Sequence, residues 1–191
     1  FDSETGIYVK GDIFDAALAE YLQTGNLRDG ETARSLDANY KQKGREWERE
    51  AAITFFEFGA DGSAEAVFSQ NCGIRIQGNY SRSDLQKGLR LYARTEYGAN
   101  NFNYTVFGED YLNVNGEVMD KFDTLVLRNG GNCAFTAKFN DTYWQSLIGE
   151  LDCSTQQSRP CVVYLNGEYW GLYILQEDYT DTELPVKIYL F

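Results

Sequence analysis

Apolar and polar residues alternate along several stretches of the chain, which is the pattern of β-strands that bury one face. These stretches are residues 51–58, 64–68, 73–77, 88–94 and 122–127. Asp61-Gly62 separates the first two and predicts a tight turn. In residues 73–94 the alternation places apolar side chains on one face of each strand and polar side chains on the other. The polar set is Arg75, Arg90, Tyr92 and Arg94.

A β-hairpin is predicted at residues 160–175. Its two arms, residues 160–165 and 168–175, are rich in aromatic and aliphatic residues. They flank Asn166-Gly167, the dipeptide that most strongly favours a two-residue hairpin turn.

A helix is predicted over residues 140–151, because its apolar residues recur at helical spacing and form one stripe. The stripe consists of Tyr143, Trp144, Leu147, Ile148 and Leu151. A shorter helical pattern spans residues 15–22, within a polar N-terminal region. The predicted fold class is therefore α+β, an antiparallel sheet with one main packed helix. We expect an N-terminal arm and helix over residues 1–50, a lobe over 51–178, and an atypical tail over 179–191.

Composition narrows the possible chemistry. The chain has 191 residues, a net charge of −12 and no histidine. The absence of histidine excludes Ser-His-Asp and Cys-His catalysis and histidine-ligated zinc. The negative charge argues against nucleic acid as a partner. No apolar run reaches the roughly 20 residues of a membrane span.

The four cysteines do not indicate a metal site. None of Cys72, Cys133, Cys153 and Cys161 belongs to a CxxC pair. Cys153 and Cys161 are near enough in sequence to be bridged across a short loop. One disulfide and four free thiols both remain open.

A local reversal of charge lies in residues 72–94. Five basic side chains and one acidic side chain give this segment a charge of +4 inside a chain of −12. A triphosphate site requires such a patch. The loop 78–83 offers backbone donors and hydroxyl groups but lacks the glycine spacing of a phosphate-binding loop. A solvated basic face balanced by nearby acids is the alternative.

Seven short motifs resemble one family in their residues and in their order along the chain. They are Thr5-Gly6-Ile7-Tyr8-Val9, Arg45-Glu46-Trp47-Glu48-Arg49, Gly73-Ile74-Arg75-Ile76, Ser81-Arg82-Ser83, the segment from Gln86 to Arg94, the segment from Leu125 to Gly131, and the segment from Asn166 to Gly171. Together they resemble the spore-coat-protein-H (CotH) family of atypical protein kinases. The resemblance covers most of residues 1–178.

The resemblance implies an architecture similar to that of protein kinases. It implies ATP and magnesium as cofactors, and phosphorylation of protein hydroxyl groups in full-length members. A kinase small lobe consists of a hairpin over the phosphates, a further strand, a helix and two strands that lead to the hinge. Residues 73–94, 122–127, 140–151 and 160–175 supply these elements in order, with a hinge expected near residues 176–178.

Candidate cofactor-binding residues follow from this resemblance and from the local charge. Lys87 is the first choice for contact with phosphate, followed by Arg82 and Arg128. Ser81 and Arg90 belong to the same basic segment, and Glu177 belongs to the expected hinge. Each basic residue could instead be a surface ion-pair partner of small energetic value. No catalytic residue and no metal ligand is assigned.

Two further roles are suggested by analogy with kinases. Glu150 on the predicted helix could pair with a basic residue of the site. Tyr169, Trp170 and Tyr173 could stack on a nucleotide base, although packing in the core is an alternative for them.

The tail 184–191 does not resemble the family's continuation. We therefore expect this portion to lack the catalytic lobe, to be inactive as a kinase and to self-associate through an exposed face. The family implies a protein substrate or a coat partner, and a location outside the cell or on a cell or spore surface. The alternative function is an extracellular carbohydrate- or protein-binding module without catalysis. Paired carboxylates of a glycan hydrolase are permitted by composition, but no spacing singles them out.

Overall fold

The computed structural model describes residues 2–29, 31–32, 36–113, 115–148 and 155–178. It contains eight strands in these ranges: β1 Arg49–Phe58, β2 Ala64–Gln77, β3 Gly88–Tyr92, β4 Phe102–Asn103, β5 Lys121–Phe122, β6 Thr124–Arg128, β7 Ser158–Leu165 and β8 Glu168–Glu177. The helices are α1 Gly11–Thr24 and α2 Asn140–Ile148, and four short 3-10 turns lie at Asn39–Lys41, Arg45–Trp47, Tyr80–Ser83 and Gly131–Cys133. The fold class is α+β, as predicted.

Six strands form one antiparallel sheet in the order β1-β2-β3-β6-β8-β7, and β4 and β5 form a small second sheet. The first three strands are consecutive neighbours. The chain then makes an excursion over residues 93–123 before β6 joins β3. The hairpin β7–β8 completes the sheet by pairing β8 with β6.

The alternation of side chains gives the sheet one apolar face and one polar face. Leu89, Leu91 and Leu125 are almost fully buried on the apolar face. Two clusters cover this face. One packs Phe102, Val106 and Phe122 from the excursion against the sheet, and the other packs Ala38 and Tyr40 from the N-terminal region against Ile76 and Leu89.

The predicted strands are found, with changed boundaries. The predicted strand 122–127 is divided between β5 and β6, and the predicted strand 88–94 ends at Tyr92. Residues 64–68 and 73–77 belong to a single strand of 14 residues, β2, and the hairpin turn lies at Asn166-Gly167 as predicted. Both turn residues have positive φ angles, 52° and 82°. These angles suit the turn that matches the twist of the two strands. The helical pattern at residues 15–22 lies inside α1.

The prediction of one main packed helix is wrong. The described residues of α2 include no buried side chain, so this helix is not the packed one that was expected. Tyr143, Trp144 and Leu147 of the apolar stripe are each about half exposed. Helical spacing identified the helix, but spacing alone does not show what covers its apolar face. Glu150, Leu151, Cys153 and the tail 179–191 lie outside the described residues. Cys72, Cys133 and Cys161 are free thiols.

Candidate functional site

An open cavity of about 360 Å³ lies on the polar face of the sheet, beside the end of β2. Four of the residues that line it are basic. Strand β2 and the turn after it supply Arg75, Ile76, Gln77, Gly78 and Arg82, strand β3 supplies Arg90 and Tyr92, and a loop from the N-terminal region supplies Gln42, Lys43 and Gly44. Residues distant in sequence therefore meet around one concentration of positive charge.

Strand register brings two of these cations together. Arg75 on β2 lies directly opposite Arg90 on β3. Like charges at such a position repel each other, so the arrangement requires compensation. Two carboxylates provide it, Glu48 beside Arg75 and Asp178 beside Arg90.

Glu48 joins two arginines on the polar face. Its side chain is 1% exposed. Arg94 donates to both of its carboxylate oxygens, at 2.8 and 3.1 Å, and Nε of Arg75 lies 3.4 Å from Oε2. The hydrogen bond to Glu48 raises the pKa of Arg94. Gly73 leaves room for this carboxylate, because a Cβ there would lie 2.8 Å from Cγ of Glu48.

Asp178 holds Arg90 at the other side of the cavity. Nη2 of Arg90 donates to Oδ1 of Asp178 at 3.1 Å, and the Thr124 hydroxyl donates to Oδ2 at 3.2 Å. Burial raises the pKa of Asp178, and the nearby Arg90 opposes this shift.

Arg82 enters the cavity with no carboxylate partner among the described residues. Its Nε donates to the carbonyl oxygen of Gly78 at 2.7 Å, and Nη1 donates to those of Gln42 at 2.8 Å and Tyr40 at 3.3 Å. Burial, followed by the positive charge of Arg75, lowers the pKa of Arg82. Arginine remains protonated in proteins, so the charge is retained at an electrostatic cost.

The cavity therefore holds more positive than negative charge. Its four lining cations face two carboxylates, Glu48 and Asp178, which leaves a charge of +2. The Nε atoms of Arg75 and Arg90 are buried and lie 3.4 and 3.0 Å from oxygens of Glu48 and Asp178, so each is ion-paired. The remaining excess of positive charge favours an anionic ligand.

Two of the six predicted cofactor-binding residues, Arg82 and Arg90, line the cavity. Lys87 does not, and its side chain turns to the apolar side. The residue is 5% exposed, and Nζ donates to the carbonyl oxygen of Asp84 at 2.6 Å and lies 4.1 Å from the centre of the Tyr40 ring. Burial lowers the pKa of Lys87 to about 8.

The other three predicted residues are also not among those that line the cavity. Ser81 packs against Gly78 in the turn after β2. Glu177 is fully buried; it accepts a hydrogen bond from the Tyr111 hydroxyl at 2.7 Å and another from the backbone N–H of Gln157. Arg128 at the end of β6 forms an ion pair with Asp141 on α2.

Sequence reasoning left two basic lining residues out of its candidates, Arg75 and Lys43. Arg75 could have been found, because the alternation already places it on the same face as Arg90. No local pattern marks Lys43 or Gln42, since both belong to an irregular loop that reaches the site through the tertiary fold.

The residues fit a polyphosphate better than they fit a metal. Arginine and lysine form charge-assisted hydrogen bonds with phosphate oxygens. Within the described ranges, no three or more Cys, Asp or Glu side chains come together as a group that could hold a metal ion. None of the helices in these ranges is long and apolar enough to cross a membrane.

Comparison with known proteins identifies the family. Residues 74–190, more than half of the chain, match the family described as CotH kinase protein. The match includes residues 184–190, which the sequence analysis set apart from the family. No curated protein matches the chain, and no solved structure does. The end of β2 from Ile74 and strands β3 to β8, with Arg75, Arg90 and Asp178, fall inside the match, and the chain belongs to the CotH kinase protein family.

Proposed function

We propose that this chain is a nucleotide-binding portion of a kinase-like protein, and that it holds the phosphates of ATP in the basic cavity on its sheet. The observation that carries this proposal is the meeting of Lys43, Arg75, Arg82 and Arg90 around one cavity in a chain of net charge −12. An anionic ligand is attracted to such a site although the protein as a whole repels it.

The order of elements supports the proposal. After the β2–β3 hairpin come the strand β6, the helix α2 and the hairpin β7–β8, and the sheet order places β6 between β3 and β8. A kinase small lobe has the same succession. The ion pair between Arg128 on β6 and Asp141 on α2 resembles the strand-to-helix ion pair that protein kinases require.

The chain's own residues would position the phosphates. Arg75 and Arg90 supply guanidinium groups to the lining of the cavity, and the exposed Lys43 supplies an ammonium group at its rim. Arg82 is held in place by three carbonyl oxygens, so little entropy is lost when it contacts an anion. Bound ATP would supply the transferable phosphoryl group. We derive no step through magnesium, because the described residues offer no carboxylate cluster for it.

The family also suggests specific phosphate contacts, a substrate and a location for this protein, which we propose here. Contacts of phosphate with Lys87, Ser81, Arg128 and Glu177 are predictions that rest on the family resemblance. Phosphorylation of a protein hydroxyl, a protein or coat partner, self-association and a location at a surface are further proposals. Inactivity of this chain as a kinase also remains a prediction.

Calorimetric titration with ATP, with and without magnesium, tests the proposal. We expect saturable binding that weakens about tenfold or more in the double variant Lys43→Ser/Arg75→Gln. Arg28→Gln is the matched control, because Arg28 pairs with Glu20 on α1 and does not line the cavity. The proposal fails if millimolar ATP gives no heat, or if the cavity variant and the control bind equally. Lys87→Met tests the predicted lysine separately.

The alternative of a carbohydrate-binding module rests on one observation. Tyr164 and Tyr169 form an edge-to-face pair, 5.8 Å between ring centres, on the β7–β8 hairpin, and they are 61% and 65% exposed. Exposed aromatic rings can stack on sugars. Retention on immobilised polysaccharide that is lost in Tyr164→Ser/Tyr169→Ser, together with no binding of ATP, would favour this alternative.

A further inference from the structure

We propose that the cavity recognises the polyphosphate chain and not the base, so that it takes linear polyphosphates as a chemical class: nucleoside triphosphates of any base, and inorganic tripolyphosphate. This inference rests on the proposed function and specifies the ligand of the same site. It follows from the chemistry of the lining residues and from the contacts that Tyr92, the aromatic residue among them, already makes.

Most of the lining can bind phosphate oxygens. Besides the four cations, the side-chain amide of Gln77 and the glycines Gly44 and Gly78 face the cavity. The amide nitrogen of Gln42 already donates to Asp37 and to the carbonyl oxygen of Ala38. Cations and amides present hydrogen-bond donors, whereas glycines let a ligand approach the backbone closely. Ile76 and Tyr92 are the only apolar or aromatic members of this lining.

The ring of Tyr92 already contacts two arginine side chains. The guanidinium carbon of Arg75 lies 4.0 Å from the ring centre, and that of Arg94 lies 4.8 Å from it. Both arginines are anchored to Glu48, so they do not leave the ring freely. An open aromatic face is one surface on which a base can stack. Tyr92 does not offer such a face.

The aromatic residues that the sequence suggested for base stacking lie elsewhere. Tyr173 is fully buried, and its hydroxyl donates to the carbonyl oxygen of Lys87 at 2.8 Å. Trp170 packs against Tyr8, and its Nε1 donates to the Tyr8 hydroxyl at 2.8 Å. Tyr169 pairs with Tyr164 on the hairpin. None of them lines the cavity.

The charge of the ligand sets the expected order of affinities. The cavity has a charge of +2, and Arg82 lacks a carboxylate partner among the described residues, so affinity should rise with the number of phosphates. Electrostatic attraction that is unaided by stacking is also screened by salt, with a Debye length of about 10 Å at 0.1 M. We therefore expect adenosine not to bind, AMP to bind weakly, and ATP, GTP and tripolyphosphate to bind alike.

The test is a set of calorimetric titrations of the purified chain, without magnesium, with adenosine, AMP, ATP, GTP, UTP and inorganic tripolyphosphate. The inference predicts that the three nucleotides and tripolyphosphate have affinities within about threefold of each other, since the contacts they share carry the binding. It also predicts that Lys43→Ser weakens all four by the same factor, while Arg28→Gln weakens none.

The outcomes separate this inference from the proposed function. If ATP binds at the cavity but tripolyphosphate does not, or if ATP exceeds GTP and UTP by more than about tenfold, base recognition exists and the inference is overturned. If no phosphorylated ligand binds, the proposed function fails together with it. Binding of tripolyphosphate that is equal in wild type and Lys43→Ser places the ligand outside the cavity and also overturns the inference.

Discussion

The side chains of Glu57 and Arg159 join the two opposite edges of the main sheet. Glu57 lies on β1 and Arg159 on β7, the first and last strands in the sheet order. Nη1 and Nη2 of Arg159 donate to the two carboxylate oxygens at 2.7 and 2.8 Å. Nη1 also donates to the carbonyl oxygen of Val106 at 3.0 Å. This hydrogen bond connects β7 to the excursion that covers the apolar face. The sheet is therefore curled around its core.

Removing this ion pair should lower stability by a modest amount. Both side chains are more than one-third exposed, so solvent screens the attraction. A double-mutant cycle with Glu57→Gln and Arg159→Gln should give a coupling free energy of about 0.5–1 kcal/mol in urea unfolding. The same cycle on Glu20 and Arg28 serves as a control and should give less, because that pair tethers only a loop to α1. Equal coupling free energies in the two cycles would show that joining the two edges of the sheet adds no stability.

The same pair predicts a dependence on pH. The hydrogen bond from Arg159 lowers the pKa of Glu57 below its ordinary value of 4.5. As the pH falls, the unfolded carboxyl takes up a proton before the folded one does. The coupling is thus fully present above about pH 4.5 and is lost as the pH falls through the folded pKa. Urea unfolding of the four proteins of the cycle at pH 6 and at successively lower values measures this loss, and a coupling that is independent of pH would contradict the prediction.

Lys87 predicts a second rise of stability with pH, in the alkaline range. Burial lowers its pKa from 10.5 to about 8, so the unfolded chain holds the proton over a range where the folded chain has released it. The free energy of unfolding should therefore rise with pH through this range. We expect the wild type to gain about 2 kcal/mol relative to Lys87→Met between pH 7.5 and 9.5.

Comparison with Lys87→Met isolates this lysine from other groups. Burial raises the pKa of Tyr173, which destabilises the folded state only above the ordinary tyrosine value of 10. Measurements up to pH 9.5 therefore avoid that effect, and both proteins share it. A wild-type-minus-variant difference that stays flat from pH 7.5 to 9.5 would mean that Lys87 remains charged in the folded state.

The strands were predictable because the alternation of apolar and polar residues shows which face of a strand is buried. The same rule, applied strictly, would have changed two site predictions. Lys87 has the parity of Leu89 and Leu91, and Glu177 has the parity of Leu175, so the alternation places both on the apolar face. The charge of Lys87 and the hinge expected at Glu177 suggested a ligand site, whereas the alternation accounts for the side on which the two side chains lie.

The cavity itself could be predicted only in part. Arg75 and Arg90 follow from the hairpin pattern, whereas Lys43 comes from a loop with no periodicity. Glu48 is the clearest example of a tertiary effect. Its carboxylate is positioned by Arg75 and Arg94, and by the missing side chain of Gly73, which lies opposite Tyr92 in the register. No local rule relates these residues.

Gly73→Ala should therefore destabilise the protein through a clash with Glu48. The backbone φ of Gly73 is not positive, so the methyl group causes no strain in the backbone itself. Overpacking against a buried, ion-paired carboxylate should cost about 1–3 kcal/mol in urea unfolding. The double variant Gly73→Ala/Glu48→Asp shortens the acid and should recover part of the loss. A Gly73→Ala protein within about 0.5 kcal/mol of wild type would contradict the prediction.

Asp178→Asn should strengthen the binding of tripolyphosphate. The carboxylate now neutralises Arg90, and its removal raises the charge of the cavity from +2 to +3 while the asparagine keeps an oxygen near the Thr124 hydroxyl. We expect affinity to rise about three- to tenfold at low salt, and this gain to shrink as salt is added. Because burial raises the pKa of Asp178, the wild type should approach the variant as the pH falls and the carboxyl becomes protonated. Glu20→Gln is the matched control, since Glu20 on α1 pairs with Arg28 and does not line the cavity. Equal affinities of Asp178→Asn, Glu20→Gln and wild type would show that Arg90 does not contact the ligand.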